Sequence, residues 1–240
     1  MIRQIVRDYE AVAEFQSSGL RVQGDSASPK GMVFHILPDN AEPAEVLDIG
    51  FGAGSLGEAI KSNPATNHWI VDGIDGWAPN CENRELIDRG IYRHIWHGLA
   101  QELSSEQLRR YRVLCLLDVI EHLTADTARW LLRTLLTSMA DDAYLFISTP
   151  LWFYPQEQIQ QGDLEAHLIA VPATSMMVLM PHMYSVSKSL IGGFMLSKRS
   201  LEFIEFFQPT ADKSFSYEKG IMIMEVIGMQ RQPGVVYKLP

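Results

Sequence analysis

Short apolar runs alternate with helix-sized segments through the central part of the chain. Five runs have the length and composition of β-strands: residues 44–49, 68–75, 92–98, 113–118 and 143–148. Helices are expected between them, at 55–61, 80–89 and 126–140. The last is the clearest, because its apolar side chains form one stripe at helical spacing: Ala128, Leu131, Leu132, Leu135, Leu136 and Met139. This alternation predicts an α/β fold with a doubly wound, mostly parallel sheet.

The pattern changes on both sides of this central part. Residues 1 to about 20 carry apolar positions at helical spacing, which predicts an amphipathic helix followed by a loop. After Pro150, residues 151–195 are rich in Pro, Met, Gln and aromatic residues without a clear period, which is typical of a lid or binding loop. The rest predicts a helix at 197–207 with Ser197 as its N-cap, then closing strands at 215–217, 221–229 and 235–237 that include an antiparallel hairpin.

Charge and cysteine content narrow the class of protein. The 240 residues carry a formal net charge of -9, which argues against nucleic acid as a partner, because such binding depends on clustered Lys and Arg. The two cysteines, Cys81 and Cys115, have neither disulfide nor metal-site spacing, and no metal is expected. No signal-peptide pattern and no apolar run of about 18 residues are present. We therefore expect a cytoplasmic protein with no membrane segment.

Three glycines at alternate positions, Gly50, Gly52 and Gly54, lie where the first buried strand turns into a helix. Glycine suits such a turn because the backbone bends sharply and a ligand can approach where no Cβ stands in the way. Ligands of open parallel sheets bind at this edge, beyond the carboxyl ends of the strands. A tight packing turn without a ligand is the alternative interpretation of the glycines alone.

Two carboxylates favour a ligand. Asp75 ends the second predicted strand, 25 residues beyond Gly50, where a carboxylate can accept both hydroxyls of a ribose; a plain turn residue before Gly76 is the alternative. The glycines also fit the dinucleotide pattern G-x-G-x-x-G, ending at Gly57, so a nicotinamide-dependent oxidoreductase is a second hypothesis. Asp48, just before the turn, suits a cationic ligand better than a pyrophosphate, which it would repel.

The segment Val46-Leu-Asp-Ile-Gly-Phe-Gly-Ala-Gly54, the acidic end of Val71-Asp-Gly-Ile-Asp75 and the stretch Leu117-Asp-Val-Ile-Glu-His-Leu123 occur in this order. Together they resemble the first, second-strand and fourth-strand motifs of the class I S-adenosylmethionine-dependent methyltransferases, small-molecule type, over residues 44–150. The resemblance implies a Rossmann-like seven-stranded fold with an antiparallel closing strand. It also implies S-adenosylmethionine as the cofactor.

Carried over position by position, the resemblance implies that the glycines line the methionine and ribose parts of the cofactor, that Asp75 binds the ribose, and that Asp118 lies beside the cofactor. Leu99 departs from the family, in which an Asp often contacts the adenine amino group at this position. We therefore expect apolar contact with adenine from Leu99 and Trp77. The complete expected cofactor set is Asp48, Gly50, Phe51, Gly52, Gly54, Asp75, Gly76, Trp77, Leu99, Ala100 and Asp118.

The acceptor is expected to be a small molecule that is methylated on oxygen or nitrogen. His167 and His122 are the candidate bases, although Glu121-His122 is also typical of a turn that is merely structural. Candidate acceptor-binding side chains lie in and beside the insertion: Thr149, Trp152, Tyr154 and His182. A cofactor-binding module without catalytic activity, serving a partner enzyme, remains a further alternative.

The whole chain is expected to form a single methyltransferase domain with four parts. These parts are an N-terminal helix and loop (1–40), a cofactor-binding core (41–150), a lid and acceptor insertion (151–195), and the closing helix and strands (196–240). One domain of this size can bury one sizeable core.

Overall fold

The computed structural model describes residues 3–4, 29–36, 42–186, 190–214, 216–226 and 237–238. The strands are β1 (Arg3–Gln4), β2 (Glu45–Ile49), β3 (Ile70–Asp75), β4 (His94–His97), β5 (Val113–Leu117), β6 (Tyr144–Pro150), β7 (Met183–Val186), β8 (Ile191–Leu196) and β9 (Tyr237–Lys238). The α-helices are α1 (Ser55–Ser62), α2 (Ala78–Cys81), α3 (Arg84–Asp88), α4 (Ser105–Leu108), α5 (Ala125–Ser138), α6 (Ala173–Met177) and α7 (Tyr217–Val226). Short 3₁₀ helices are formed by Lys30–His35, Ala100–Glu102, Ile120–His122 and Lys198–Phe206.

Within the described residues the strands form one sheet in the order β1-β4-β3-β2-β5-β6-β8-β7-β9. Strands β2 to β6 pair in parallel, and β8 is antiparallel to both β6 and β7. The two-residue strands β1 and β9 extend the two edges of this seven-stranded mixed sheet. The expected Rossmann-like methyltransferase fold is confirmed.

The chain order of the strands reverses between β2 and β5. From β2 the sheet grows through β3 and β4 in one direction, and from β5 through β6 in the other. Ile49 lies opposite both Ile74 and Leu116, so β2, β3 and β5 reach the same edge of the sheet. A crevice opens at such a reversal, beyond the carboxyl ends of the strands.

Apolar side chains cover both faces of the sheet, as the unbroken apolar runs predict. On β5, Leu114 and Leu116 belong to one core cluster, and Val113 and Cys115 belong to the other. Helix α5 packs its predicted stripe into the first cluster, and helix α1 contributes to the second. The Thr124 side chain caps the start of α5 by accepting a hydrogen bond from the Thr127 N–H at 3.3 Å. Each leucine buried along the stripe contributes about 1.5–3 kcal/mol to the stability of the fold.

The C-terminal half differs from the prediction in two elements. The antiparallel hairpin is formed by β7 and β8, inside the segment expected to be lid, whereas the closing strands were expected after residue 207. The apolar run expected to be a strand at 221–229 is the helix α7 over the part that is described. Both errors have one reason: a short apolar run fits a buried strand and a buried helix equally well until its neighbours are known.

Smaller differences concern helix type and length. The helix expected at 80–89 is two short helices, α2 and α3. The helix expected at 197–207 is a 3₁₀ helix that Ser197 precedes without a side-chain capping bond. The N-terminal helix lies outside the described residues except at β1, which is a strand. Among the described residues, no helix combines the length and apolar character needed to cross a bilayer.

Candidate active site

A cavity of about 700 Å³ lies at the carboxyl edge of the sheet, at the point where the strand order reverses. Its volume lies within the range of about 300–1,000 Å³ that is usual for small-molecule sites. The loops after β2, β3, β4 and β5 line it, together with the end of β6 and the segment 154–167. Most of the expected cofactor residues meet here: Asp48, Gly50, Phe51, Gly52, Asp75, Gly76, Trp77, Leu99, Ala100 and Asp118.

The glycine turn adopts a backbone that other residues resist. Gly50, Gly52 and Gly54 have φ angles of +71°, +56° and +85°, in the left-handed region that favours glycine. A Cβ added to Gly50 would lie 2.4 Å from Cγ2 of Val119. Gly54 does not line the cavity; a Cβ there would lie 2.5 Å from Cδ2 of Leu86. Gly50 and Gly52 therefore shape the cavity, and Gly54 allows close packing behind it.

Asp75 ties the glycine turn to the end of β3. Its Oδ2 accepts hydrogen bonds from the Gly52 N–H at 2.9 Å and from Nδ2 of Asn80 at 3.1 Å, and its Oδ1 accepts from the Trp77 N–H at 2.7 Å. Burial raises the pKa of Asp75, and the hydrogen bonds partly oppose this rise. The carboxylate thus holds two walls of the cavity at a fixed separation.

Asp48 lies beneath the same turn, with 2% of its surface exposed. Its Oδ2 accepts a hydrogen bond from the Tyr92 hydroxyl at 2.8 Å. The pKa of Asp48 is raised to about 7. Burial is the largest cause, and the nearby Asp75 also raises the pKa, whereas the Tyr92 hydrogen bond and the charge of Lys30 lower it. Because Asp48 and Asp75 line one crevice, a positively charged ligand placed between them would relieve their mutual repulsion.

A second group of ionisable side chains also lines the cavity. One potential ligand atom from each of Glu121, His122 and His167 lies within 4.8 Å of the other two. The two histidine rings meet edge to face with centroids 4.8 Å apart. These three side chains all line the cavity, so the tertiary structure brings together two residues after β5 and one from the insertion.

Both histidines in this group have one ring nitrogen against a backbone carbonyl. Nδ1 of His122 lies 3.2 Å from the carbonyl oxygen of Ala166, and Nδ1 of His167 lies 2.7 Å from that of Tyr154. A carbonyl oxygen only accepts, so each Nδ1 carries the hydrogen and each Nε2 keeps a lone pair. Burial lowers the pKa of both rings, and the hydrogen bonds to the backbone carbonyls partly oppose this fall.

Glu121 is the buried carboxyl of the group. Its Oε2 accepts a hydrogen bond from the Thr149 hydroxyl at 3.0 Å. Its Oε1 is buried without a hydrogen-bond partner in the part of the chain that the structure describes. Burial, first of all, and the neighbouring Asp118 raise the pKa of Glu121 well above its usual range. An unpartnered buried oxygen is costly, which indicates that a ligand belongs beside it.

Part of the cavity wall is apolar. Leu99 and Trp77 line it beside Gly76, and Leu164 reaches in from the insertion. A Cβ on Gly76 would lie 2.7 Å from Leu164 and 2.9 Å from Leu99, so the two leucines close over the bare backbone at this position. A flat, apolar group fits between these side chains and the end of β3.

Three of the expected acceptor-binding residues do not line the cavity. Thr149 is fully buried and supports Glu121 through its hydroxyl. Trp152 packs against α7, where Gly220 leaves room for its ring. His182 is exposed beside Tyr144, at the amino-terminal end of β6. Topology explains the error, because the hairpin β7–β8 carries His182 to the far edge of the sheet, and only Tyr154 of the expected set faces the cavity.

Several lining residues were not among the predicted site residues. Glu121 belongs to the motif after β5 but was interpreted as shaping the turn, and the others carry no motif: Lys30, Asn80, Gln156, Leu164, Glu165 and Ile191. Gln156 and Glu165 are bonded to each other, since Nε2 of Gln156 donates to the Glu165 carbonyl at 2.8 Å. Lys30 comes from a 3₁₀ helix ahead of β2, and Asn80 lies on α2 just after β3. The others reach the cavity only through the path of the insertion, so no sequence signal marks them.

Comparison with known proteins gives both a family and related structures. A family model described as a methyltransferase domain matches residues 31–189. A ubiquinone biosynthesis O-methyltransferase of Pseudomonas savastanoi pv. phaseolicola is 25% identical over 194 residues, which cover 79% of this chain and 69% of the relative. The N-terminal domain of EvdMO1, solved in the presence of SAH and D-fucose, is 11% identical with a TM-score of 0.51, covering 80% of this chain and 96% of that one.

The solved mitomycin 7-O-methyltransferase MmcR is 18% identical with a TM-score of 0.47 over 70% of this chain, and this chain spans 52% of its length. The family model, by contrast, covers well over half of the present chain and includes the glycine turn, Asp75 and the segment after β5. The chain therefore belongs to the methyltransferase domain family and is a class I S-adenosylmethionine-dependent methyltransferase.

Proposed function

We propose that this methyltransferase transfers the methyl group to a hydroxyl oxygen of a small molecule. The observation that carries the proposal is the pair of histidines, His122 and His167, each with Nδ1 against a carbonyl oxygen, lining a cavity that also contains the glycine turn. A hydroxyl acceptor must lose its proton during transfer, whereas a free amine needs no group to accept one. The name of the related O-methyltransferase agrees with oxygen as the acceptor atom.

The cavity fits S-adenosylmethionine, which when bound supplies a methyl carbon activated by its positively charged sulfur. Asp48 and Asp75 place two carboxyls where a cation is favoured, and Gly50 and Gly52 leave the backbone open to close approach. We assign the ribose to Asp75. Its Oδ1 accepts one protein hydrogen bond among the described residues, so it retains capacity for a sugar hydroxyl.

The adenine is assigned to the apolar part of the cavity wall. Trp77 supplies a flat ring and Leu99 an aliphatic side chain, and the backbone at Ala100 supplies polar groups in place of the Asp that the family often has. Asp118 also lines the cavity, and its Oδ1 accepts a hydrogen bond from the Ser148 hydroxyl at 2.7 Å. This arrangement directs the methyl-bearing part of the cofactor toward the histidines.

The acceptor is assigned to the space between the histidines and the insertion. Tyr154, Pro150 and Ile191 line this space with apolar surface, which excludes water and orients an organic molecule. The lone pair on Nε2 of His167, with that of His122 beside it, receives the hydroxyl hydrogen. Well-oriented reactants gain effective molarities of about 10⁵–10⁸ M, so positioning supplies most of the rate and the base the remainder.

The proposal also includes a cellular location and a class of partner. We place the enzyme in the cytoplasm, acting on a small molecule and without nucleic acid. Cys81 and Cys115 are both free and buried, which agrees with a reducing compartment. The net charge of -9 disfavours a polyanionic partner.

The test is methyl transfer from labelled S-adenosylmethionine to matched acceptors. A panel of small phenols and alcohols is compared with amines of the same carbon skeleton, and formation of S-adenosylhomocysteine is measured for each. We expect turnover with hydroxyl acceptors. We also expect His167→Gln to lower kcat by about 100-fold or more, the usual contribution of a general base.

The matched control is His182→Gln, which removes a histidine that lies outside the cavity and should leave kcat unchanged. Transfer to amines alone would overturn the assignment to oxygen. Tight binding of S-adenosylhomocysteine with no turnover on any acceptor would instead indicate a cofactor-binding module.

A further inference from the structure

We propose that Glu121, His122 and His167 form a binding site for one divalent transition-metal ion. Two imidazole nitrogens and one carboxylate oxygen are a donor set that suits Mn²⁺, Fe²⁺, Co²⁺ or Zn²⁺ better than Mg²⁺ or Ca²⁺, which prefer oxygen ligands. The potential ligand atoms lie within 4.8 Å of one another. Bonds of about 2.0–2.2 Å to a shared ion would draw them slightly closer.

The unpartnered oxygen of Glu121 is an observation independent of that clustering. Glu121 is 2% exposed, and within the described residues its Oε1 is buried without a hydrogen-bond partner while Oε2 accepts from Thr149. Thr149 therefore orients the carboxyl and leaves one oxygen for a ligand. A metal ion satisfies that oxygen without a donor group from the protein.

The histidines have the outer contacts that metal-binding imidazoles usually have. Each Nδ1 donates to a backbone carbonyl, of Ala166 for His122 and of Tyr154 for His167. Such a contact fixes the tautomer and directs the Nε2 lone pair toward an ion. Both ligands are thus prepared in the form that binds metal.

The backbone also holds the insertion against the turn after β5. The Leu168 and Ile169 N–H groups both donate to the Glu121 carbonyl, at 2.8 Å and 3.3 Å, and the His167 N–H donates to the Gln156 carbonyl at 3.0 Å. His167 is therefore anchored beside Glu121 although 46 positions separate them in the sequence. A site that is fixed in advance loses little conformational entropy when an ion binds.

Three protein ligands leave coordination positions open toward the cavity, as in catalytic metal sites. With the ion bound, the histidine lone pairs are ligands and no longer accept the hydroxyl proton. An acceptor hydroxyl that occupies an open position instead loses its proton to water, because the ion lowers its pKa. This role for the ion rests on the proposed O-methylation. Binding of the ion itself does not, so the two can fail separately.

The test uses Co²⁺ as the probe, added to the 240-residue chain after treatment with a chelator. We expect visible absorption bands that saturate at one Co²⁺ per chain. Two variants remove proposed ligands: Glu121→Gln, which keeps the shape of the side chain, and His167→Gln. Loss of a contact outside the ligand set usually weakens metal affinity by about 10–100-fold, and we expect each of these variants to weaken Co²⁺ affinity by more than that. His182→Gln, checked with the others by circular dichroism, should bind Co²⁺ as the unaltered chain does.

Two results would overturn the metal site: no saturable Co²⁺ binding to the unaltered chain, or affinity unchanged in both folded cavity variants. Full turnover of a hydroxyl acceptor by chelator-treated enzyme that binds no Co²⁺ would refute the metal site and leave the proposed O-methylation standing. Saturable Co²⁺ binding that depends on Glu121 and His167, with no transfer to any hydroxyl, would support the ion site and refute O-methylation.

Discussion

Replacing Asp48 with Asn should make the ligand-free protein more stable at neutral and alkaline pH while changing little near pH 4. Asp48 is buried beneath the glycine turn and accepts a hydrogen bond from Tyr92. Asparagine has nearly the same shape and still accepts that bond, but it never ionises. The substitution therefore removes the buried charge and little else.

The size of the effect follows from the pKa shift. Burial raises the pKa of Asp48 from 3.8 to about 7. Between these values the unfolded chain has lost a proton that the folded chain keeps, so the free energy of unfolding falls as pH rises and levels off above about 7. One pKa unit corresponds to about 1.4 kcal/mol, so this single group costs about 4 kcal/mol at pH 8. The Asp48→Asn variant avoids that cost.

The assay is urea denaturation of the ligand-free protein at several pH values between 4.5 and 8.5. The difference in unfolding free energy between the variant and the unaltered chain should grow across this range toward about 4 kcal/mol in favour of the variant. Asp72→Asn is the matched control, since Asp72 is equally buried but paired with Arg93, and its loss should destabilise the protein at neutral pH.

Cofactor binding should move in the opposite direction. The Asp48→Asn variant lacks the negative charge beneath the turn, so its affinity for S-adenosylmethionine should fall although its stability rises. A stability difference that stays constant with pH would refute the buried-carboxyl explanation. Unchanged affinity of the variant for S-adenosylmethionine would show that Asp48 does not contribute to cofactor binding.

Three further substitutions test other parts of the fold. Asp75→Ala should weaken cofactor binding, measured by calorimetry, by about 1–3 kcal/mol. Asp72→Asn, in the middle of β3, should leave the affinity unchanged, and equal losses in the two variants would refute a direct contact of Asp75 with the cofactor. Gly50→Ala should lower the melting temperature and abolish cofactor binding, because φ at Gly50 is +71° and the added Cβ would lie 2.4 Å from Val119. Adding Val119→Ala should restore only part of the stability, because the backbone strain remains. Leu131 is fully buried on α5, so Leu131→Ala should cost about 2–5 kcal/mol of stability without changing cofactor affinity. A folded Leu131→Ala variant with weakened cofactor binding would contradict a purely structural role for this residue.

The cofactor half of the site could be predicted from the sequence because its chemistry is local. The glycines, Asp48 and Asp75 follow directly on buried strands, and parallel strands bring their carboxyl ends to one edge. Even so, the glycine pattern alone also fitted a nicotinamide-dependent enzyme. Membership of the methyltransferase domain family decides between the two.

The acceptor half could not be predicted in the same way. His182 and Trp152 are aromatic residues of the insertion, as His167 is, and nothing in their composition separates the one that reaches the cavity from the two that do not. The path of the chain separates them, because β7 and β8 join the sheet and carry His182 away. The short runs that form this hairpin have no period long enough to distinguish strand from loop.

The sequence by itself determined the strands on which the cavity is built, the sharp turn and the carboxylates at the ends of these strands, since each depends on residues within a few positions of one another. Tertiary structure alone decided that Glu121 and His122 meet His167. Backbone hydrogen bonds between distant segments place these side chains together. Such bonds join groups that every residue possesses, so they leave no trace in the pattern of side chains along the chain.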